Sequence, residues 1–180
     1  MDFDEILTSR RSCRCFTDEE PNRLLVASIL ESGIRAPSAK NIQPWDFVVT
    51  RGREKDEIAR ILEDASQACG AVGCSIRRTV KIIHQAPWLV LVFPRVKFEC
   101  PSSDYQSIGA CIENMCLKAT ELGLGSLWIC DVDAADCEIM RHFNREYPIV
   151  AAIAIGYAAD NPPERAERLS IDDLVEWRDS

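Results

Sequence analysis

No apolar run in the sequence is long enough to cross a bilayer. Even the strongly apolar Trp88-Leu-Val-Leu-Val-Phe93 falls far short of the roughly 20 residues a spanning helix needs. Positive charge is also scarce, with 21 Lys and Arg against 29 Asp and Glu and a formal net charge of -8. Nucleic-acid binders gain most of their affinity by neutralising phosphates with Lys and Arg, so no nucleic-acid partner is expected. Only two histidines occur, His84 and His142, and neither sits in a catalytic or metal-binding constellation. The nine cysteines contain no CxxC pair, which removes the usual zinc and dithiol signatures. Their odd number leaves at least one without an internal partner and points to a reducing compartment. Most of them are expected to be small buried hydrophobes. The opening MDFDE lacks a basic stretch followed by an apolar one, so no secretory leader and a cytoplasmic setting are expected. Repeats, low-complexity tracts and linkers are missing as well. With 47% hydrophobic residues, the chain reads as a single domain over 1–180.

What is present alternates between helical and strand patterns. Asp2 as N-cap with Glu5 three residues on predicts a helix over Phe3 to Thr8. Asn22 predicts another over Arg23 to Gly33, since Pro21 has no N–H to give to a helix interior. Trp45, Phe47 and Val49 alternate with Asp46 and Thr50, the pattern of a strand with one buried face. A surface helix is expected over Glu54 to Ala65, and Arg77, Arg78 and Lys81 read as a solvated helix face. Trp88 to Phe93 is apolar on both faces and predicts a central strand covered from both sides. Asp104 opens a helix carrying Ile108, Ile112, Met115, Ala119 and Leu122, with Gly123 as its stop. Cys111 and Cys116 on it are about 140° apart and share no face. A short helix over Asp133 to Phe143 and an alanine-rich strand over Ile149 to Tyr157 complete the pattern. The tail then sets Ile171, Leu174, Val175 and Trp177 at amphipathic spacing, a stripe with the partner subunit as its natural cover.

Two stretches carry chemistry. RRSCR, Arg10 to Arg14, is the densest positive charge in an acidic chain. Arg forks and a serine hydroxyl match the oxygens of a phosphate carrying about −1.5 to −2 charge, although a basic cluster also serves as a solvated face. RAPSAKNIQPW, Arg35 to Trp45, combines two prolines that stiffen the backbone with Asn41 and Gln43 as amide donors and acceptors. Such a loop can hold a planar ligand edged with heteroatoms, or its amides can cap its own backbone.

Taken with GACIENMCLKATELGLGSLWICD and IVAAIAIGYAADNPPER, the stretches SRRSCRCF and APSAKNIQPWDFVV resemble the nitroreductase family of FMN-dependent oxidoreductases in order and spacing over most of the chain. The resemblance implies an α+β fold with a mostly antiparallel sheet flanked by helices. It also implies an intertwined homodimer, with a C-terminal arm over about 158–180 packing on the partner. It implies FMN at the subunit interface, NADH or NADPH as donor, and a small-molecule acceptor such as a nitroaromatic, quinone or activated alkene.

Carried over by position, Arg10 and Ser12 would bind the FMN phosphate with Arg11 beside them, and Arg14 would approach the pyrimidine edge of the flavin. Pro37, Ser38, Ala39 and Asn41 would reach the flavin of the other subunit. Trp128, Ile129 and Cys130 would lie over the ring with backbone N–H groups near its reactive nitrogen. Arg168 would add a phosphate contact. The second basic residue expected there falls on Ala166, with Arg165 as a substitute, and the segment from Phe93 to Asp104 is short where relatives insert a lid. No side-chain acid or base is expected, because the hydride chemistry belongs to the flavin. Cys130 follows a strand and reads as a buried thiol. Two rivals remain: a flavin-binding or flavin-delivery protein without productive nicotinamide turnover, and a thiol-based redox or metal-binding protein, for which the cysteine spacing gives no support.

Overall fold

The computed structural model describes residues 1–68, 73–159 and 167–178. Its centre is an antiparallel sheet of β1 (Trp45–Arg51), β2 (Trp88–Pro94), β3 (Gly125–Ile129) and β4 (Ala151–Gly156), in the order β1-β2-β4-β3. Helices α1 (Phe3–Ser9), α2 (Arg23–Gly33), α3 (Gly52–Ala68), α4 (Gly73–Gln85), α5 (Pro101–Glu121), α6 (Asp136–His142) and α7 (Ile171–Leu174) surround or follow it.

Alternation along β2 explains why this strand is apolar throughout. Leu89, Leu91 and Phe93 enter a core shared with Ile58 and Leu62 of α3 and Ile76 and Ile83 of α4. Val90 and Val92 enter a second core with Ile29 of α2 and Ile108, Ile112 and Met115 of α5. The expected two-sided cover is therefore present. β4 divides likewise, with Ala152 and Ala154 on the first face and Ile153 and Ile155 on the second. The small residues share the first core, where the 3-10 segment Asp131–Ala135 approaches β4.

Local signals set the helix ends. Asp2 and Glu5 form the capping box, and the Asn22 side chain accepts from the Leu25 N–H at 3.1 Å. α5 starts three residues earlier than its pattern suggested because Pro101 is favoured in the first turn, and the Asp104 carboxylate accepts from the Cys100 N–H. It ends at Gly123, φ +73°, where Leu124 N–H bonds Ala119 O and Gly123 N–H bonds Thr120 O, a Schellman closure. At the α2–α5 crossing, a Cβ on Gly33 would stand 2.7 Å from Met115 Cγ, so only glycine allows this approach.

Several expectations need correction. The Asp133–Phe143 helix is a 3-10 segment, Asp131–Ala135, running into α6. α3 is longer than expected, and the last strand is confined to Ala151–Gly156. In β1, Val49 is exposed and Thr50 is buried, its hydroxyl donating to Leu89 O at 3.2 Å. That bond lets a polar side chain take the inward place. Among the eight described cysteines only Cys13, Cys111 and Cys116 are buried, so the expectation of mostly buried thiols fails in this chain. Lys55 is buried unexpectedly: its ammonium donates to Ile83 O and His84 O, each at 2.7 Å, closing the C-terminus of α4.

Candidate functional site

The basic segment leaves α1 at Arg10 and runs beside β3. Ser12 forms a parallel bridge with Ser126, and the Cys13 N–H donates to Ser126 O at 2.9 Å. Farther on, Thr17 N–H bonds Tyr157 O and Ala159 N–H bonds Cys15 O, so the segment is fixed at both ends. Cys13 and Phe16 point into the core, while Ser12 and Arg14 stay exposed. Arg10 is half-buried and its Nε lies 3.0 Å from Glu113 Oε1 of α5. Arg11 is half-buried beside it. Arg14 Nη1 reaches back to Ser12 O at 3.4 Å. The segment thus concentrates arginines and a free hydroxyl along one sheet edge.

The backbone of β3 adds donors there. Since Ser126 turns its carbonyl outward to Cys13, the alternation of an antiparallel ladder turns the amide of Trp128 outward too, and that of Ile129 inward to β4. The Trp128 side chain is 40% exposed and lies over α5 at Gly109. Ile129 is buried. Cys130 is exposed rather than buried. Partial burial, then Asp133 and Asp131, push its thiol up from the ordinary value, so it is a weak nucleophile at neutral pH.

The second stretch forms a tight loop before β1. Ala39–Asn41 makes a 3-10 turn, with Asn41 N–H on Ser38 O at 2.9 Å and Gln43 N–H on Ser38 Oγ at 3.0 Å. Lys40, Asn41 and Gln43 all have positive φ, a conformation costing non-glycine residues on the order of 1 kcal/mol each. Pro37, Ala39 and Asn41 are exposed and Ser38 is half-buried. The Ala39 N–H reaches Ser107 Oγ of α5 at 3.4 Å.

Both stretches therefore rest on α5, but on different faces. Ser107 and Glu113 are six residues apart, roughly 9 Å along the axis and 240° around it. Within one chain, Arg10, Ser12, Arg14 and Trp128 gather along β3, whereas the Asn41 loop is held elsewhere. Arg168 is exposed in the tail. Arg165 and Ala166 lie outside the described residues.

Glu113, Ser107 and Arg95 are site-shaping residues the sequence reading passed over. The Arg95 guanidinium donates to Gln43 O at 2.9 Å and to Ile42 O. Its place directly after the strand that pairs with Trp45 was the available signal. The histidines lie at the surface: His84 Nδ1 faces Asp56 at 3.2 Å and His142 Nε2 faces Glu54 at 2.7 Å. Arg77, Arg78 and Lys81 form a solvated face of α4.

Comparison with known proteins bears on the family and the fold. The profile of the Nitroreductase family matches residues 7–157. The protein named NAD(P)H nitroreductase YdjA of Escherichia coli K12 is 28% identical over 131 residues, covering 71% of this chain and 72% of its own. A crystal structure with FMN from Desulfovibrio desulfuricans, titled as a nitroreductase, is 30% identical, with TM-score 0.79 over 95% of this chain and 93% of that one. The NADPH complex of the FMN-dependent nitroreductase NfnB from Mycobacterium smegmatis shares the fold at TM-score 0.81 and 16% identity, over 97% of each chain.

Proposed function

The chain belongs to the nitroreductase family, and we propose that it is an FMN-dependent oxidoreductase that takes electrons from NADH or NADPH and reduces nitroaromatics, quinones or activated alkenes in a ping-pong cycle. The observation that carries the reading is the edge of β3, where an arginine- and serine-bearing segment lies beside the outward amide and half-exposed indole of Trp128.

The residues present fit FMN. Arg10, held by Glu113, and the exposed Ser12 hydroxyl suit a phosphate dianion. The Trp128 indole offers flat apolar surface for a ring system, and its outward N–H offers a donor to a ring heteroatom. FMN, when bound, supplies the hydride chemistry. Arg14 keeps an exposed cation at the site, which stabilises negative charge that develops on reduction. The loop with Asn41 would complete the site from a second copy, because its own chain holds it on another face of α5.

The proposal therefore includes a homodimer in which one chain's tail covers the other. Ile171, Leu174 and Trp177 are 62%, 68% and 72% exposed, an apolar stripe suited to such a contact. Among the described residues no helix is long and apolar enough to cross a membrane. A cytoplasmic setting belongs to the same proposal.

Purified protein should be yellow, and anaerobic NADH or NADPH should bleach its oxidised-flavin absorbance. Tight FMN binding without bleaching would transfer the reading to a flavin carrier. A colourless protein that ignores added FMN would end it.

A further inference from the structure

We infer that Arg95 is a positioning residue for the flavin loop, fixing 37–43 by taking the carbonyls at its C-terminal end. This rests on the functional reading above for the identity of the ligand, and on the loop's own hydrogen bonds for the rest.

The carbonyls show the arrangement. Ser38 O accepts from Asn41 N–H and Ala39 O from Ile42 N–H. Asn41 O accepts from the Gln43 side chain at 3.4 Å. The next two carbonyls, Ile42 and Gln43, both go to the Arg95 guanidinium. Pro44 O accepts from the Arg95 backbone N–H at 2.8 Å. One residue thus takes three consecutive carbonyls. With these carbonyls taken, the loop keeps its shape while the Asn41 side chain stays exposed to a ligand outside.

Arginine suits this task better than lysine. Its rigid fork reaches two carbonyls at once, while an ammonium on a flexible stem offers no such fixed pair. The loop also needs the restraint, because Lys40 at φ +52° and Gln43 at φ +49° gain nothing from a left-handed conformation, unlike Asn41. Without the fork, Ile42 O and Gln43 O lose a charged donor and the turn is free to relax. The side-chain contribution is separable from strand pairing, since alanine or lysine at 95 keeps the N–H to Pro44 O. Arg95 is exposed, so its removal leaves no core cavity.

The test compares wild type, Arg95→Ala and Arg95→Lys by FMN titration of the apoproteins, hydrogen exchange over 38–43, and thermal melting. Loss of one forked charge-assisted contact should raise the FMN Kd of the alanine variant at least about tenfold, with lysine recovering only part of it. Amides of Asn41 and Gln43 should exchange faster, while the apoprotein melting temperature stays near that of wild type. An alanine variant that binds FMN as tightly as wild type overturns the inference alone. So does one that melts early with an unchanged Kd, since Arg95 would then serve the fold and not the flavin. Wild type that binds no FMN brings down the functional reading and this inference with it.

Discussion

Arg10 Nε stands 3.0 Å from Glu113 Oε1, joining the basic segment to the middle of α5. The carboxylate fixes the guanidinium in place and also offsets its charge. Replacing Arg10 by alanine should weaken FMN binding by about 10- to 100-fold, the worth of a charge-assisted contact. Glu113→Gln keeps an acceptor and removes the opposing charge, so it should tighten FMN at low salt, with the gain shrinking as salt rises. Isothermal titration at two ionic strengths reads both; weaker binding by Glu113→Gln would mean that orientation outweighs charge.

Arg14 is exposed beside Ser12 and has no carboxylate partner within ion-pair distance among the described residues. A cation near a ring that gains negative charge raises its reduction potential. Arg14→Gln should therefore lower the bound-flavin midpoint on the order of 30 mV, which is about 1.4 kcal/mol for a two-electron couple. A redox titration with reference dyes measures it, and an unchanged potential would move Arg14 away from the ring.

Gly33 and Met115 set the spacing of α2 and α5. Gly33→Ala forces a methyl group to within 2.7 Å of Met115 Cγ and 3.1 Å of Cys111 Sγ, and should cost about 1–3 kcal/mol. Met115→Ala alone should cost about 2–5 kcal/mol by leaving a cavity. The double variant should be more stable than the sum of the two predicts, because the new methyl enters the vacated space. Urea melts of the four proteins give the coupling, and simple additivity would refute the contact.

Sequence carried most where the physics is local. Asn22 capped a helix whose bounds, Arg23–Gly33, follow from its own residues, and β2 declared its two covered faces by being apolar on both. Residue type marked the two chemical stretches as candidates, and only the family resemblance gave them roles. What holds them was not, because Arg95 lies 52 residues beyond Gln43 and Ser107 lies 68 beyond Ala39. A cation satisfying carbonyls across the fold leaves no periodic trace. Thr50 and Lys55 misled for the same reason: each is buried by a hydrogen bond to a carbonyl supplied by another element.

The cysteines divide by position and not by type. Burial pushes the Cys111 thiol up to about 12 and the Cys116 thiol up to about 11, while hydrogen bonds from Ser103 and Ser102 hold the exposed Cys100 below its ordinary value. Native-state alkylation near neutral pH should therefore modify Cys100 first and spare Cys111 and Cys116 until the chain unfolds. The raised pair also sets a pH dependence. Folded and unfolded chains both hold these protons below the ordinary value of 9.0, so their contribution is intact there. It is lost as pH rises through about 11 and about 12, because the unfolded chain ionises first. Urea midpoints from pH 8 upward should fall less steeply in a Cys111→Ala, Cys116→Ala protein than in wild type.

The tail gives the sharpest test of assembly. α7 is only four residues long, and although Ser170 and Asp173 cap it reciprocally, a single turn does not persist by propensity alone. Its apolar side chains Ile171 and Leu174, with Trp177 beyond, are all exposed on the chain by itself. Leu174→Asp together with Trp177→Asp should leave the fold of each chain intact, since neither side chain touches its core. The change should instead shift the mass in solution from dimer to monomer. The same variant should lose FMN affinity, because the Asn41 loop of a second copy would no longer be held against the Arg10–Arg14 segment. Light scattering and FMN titration on one sample decide it: a variant that stays dimeric would place the interface elsewhere, and a monomer with undiminished FMN affinity would place the whole flavin site within one chain.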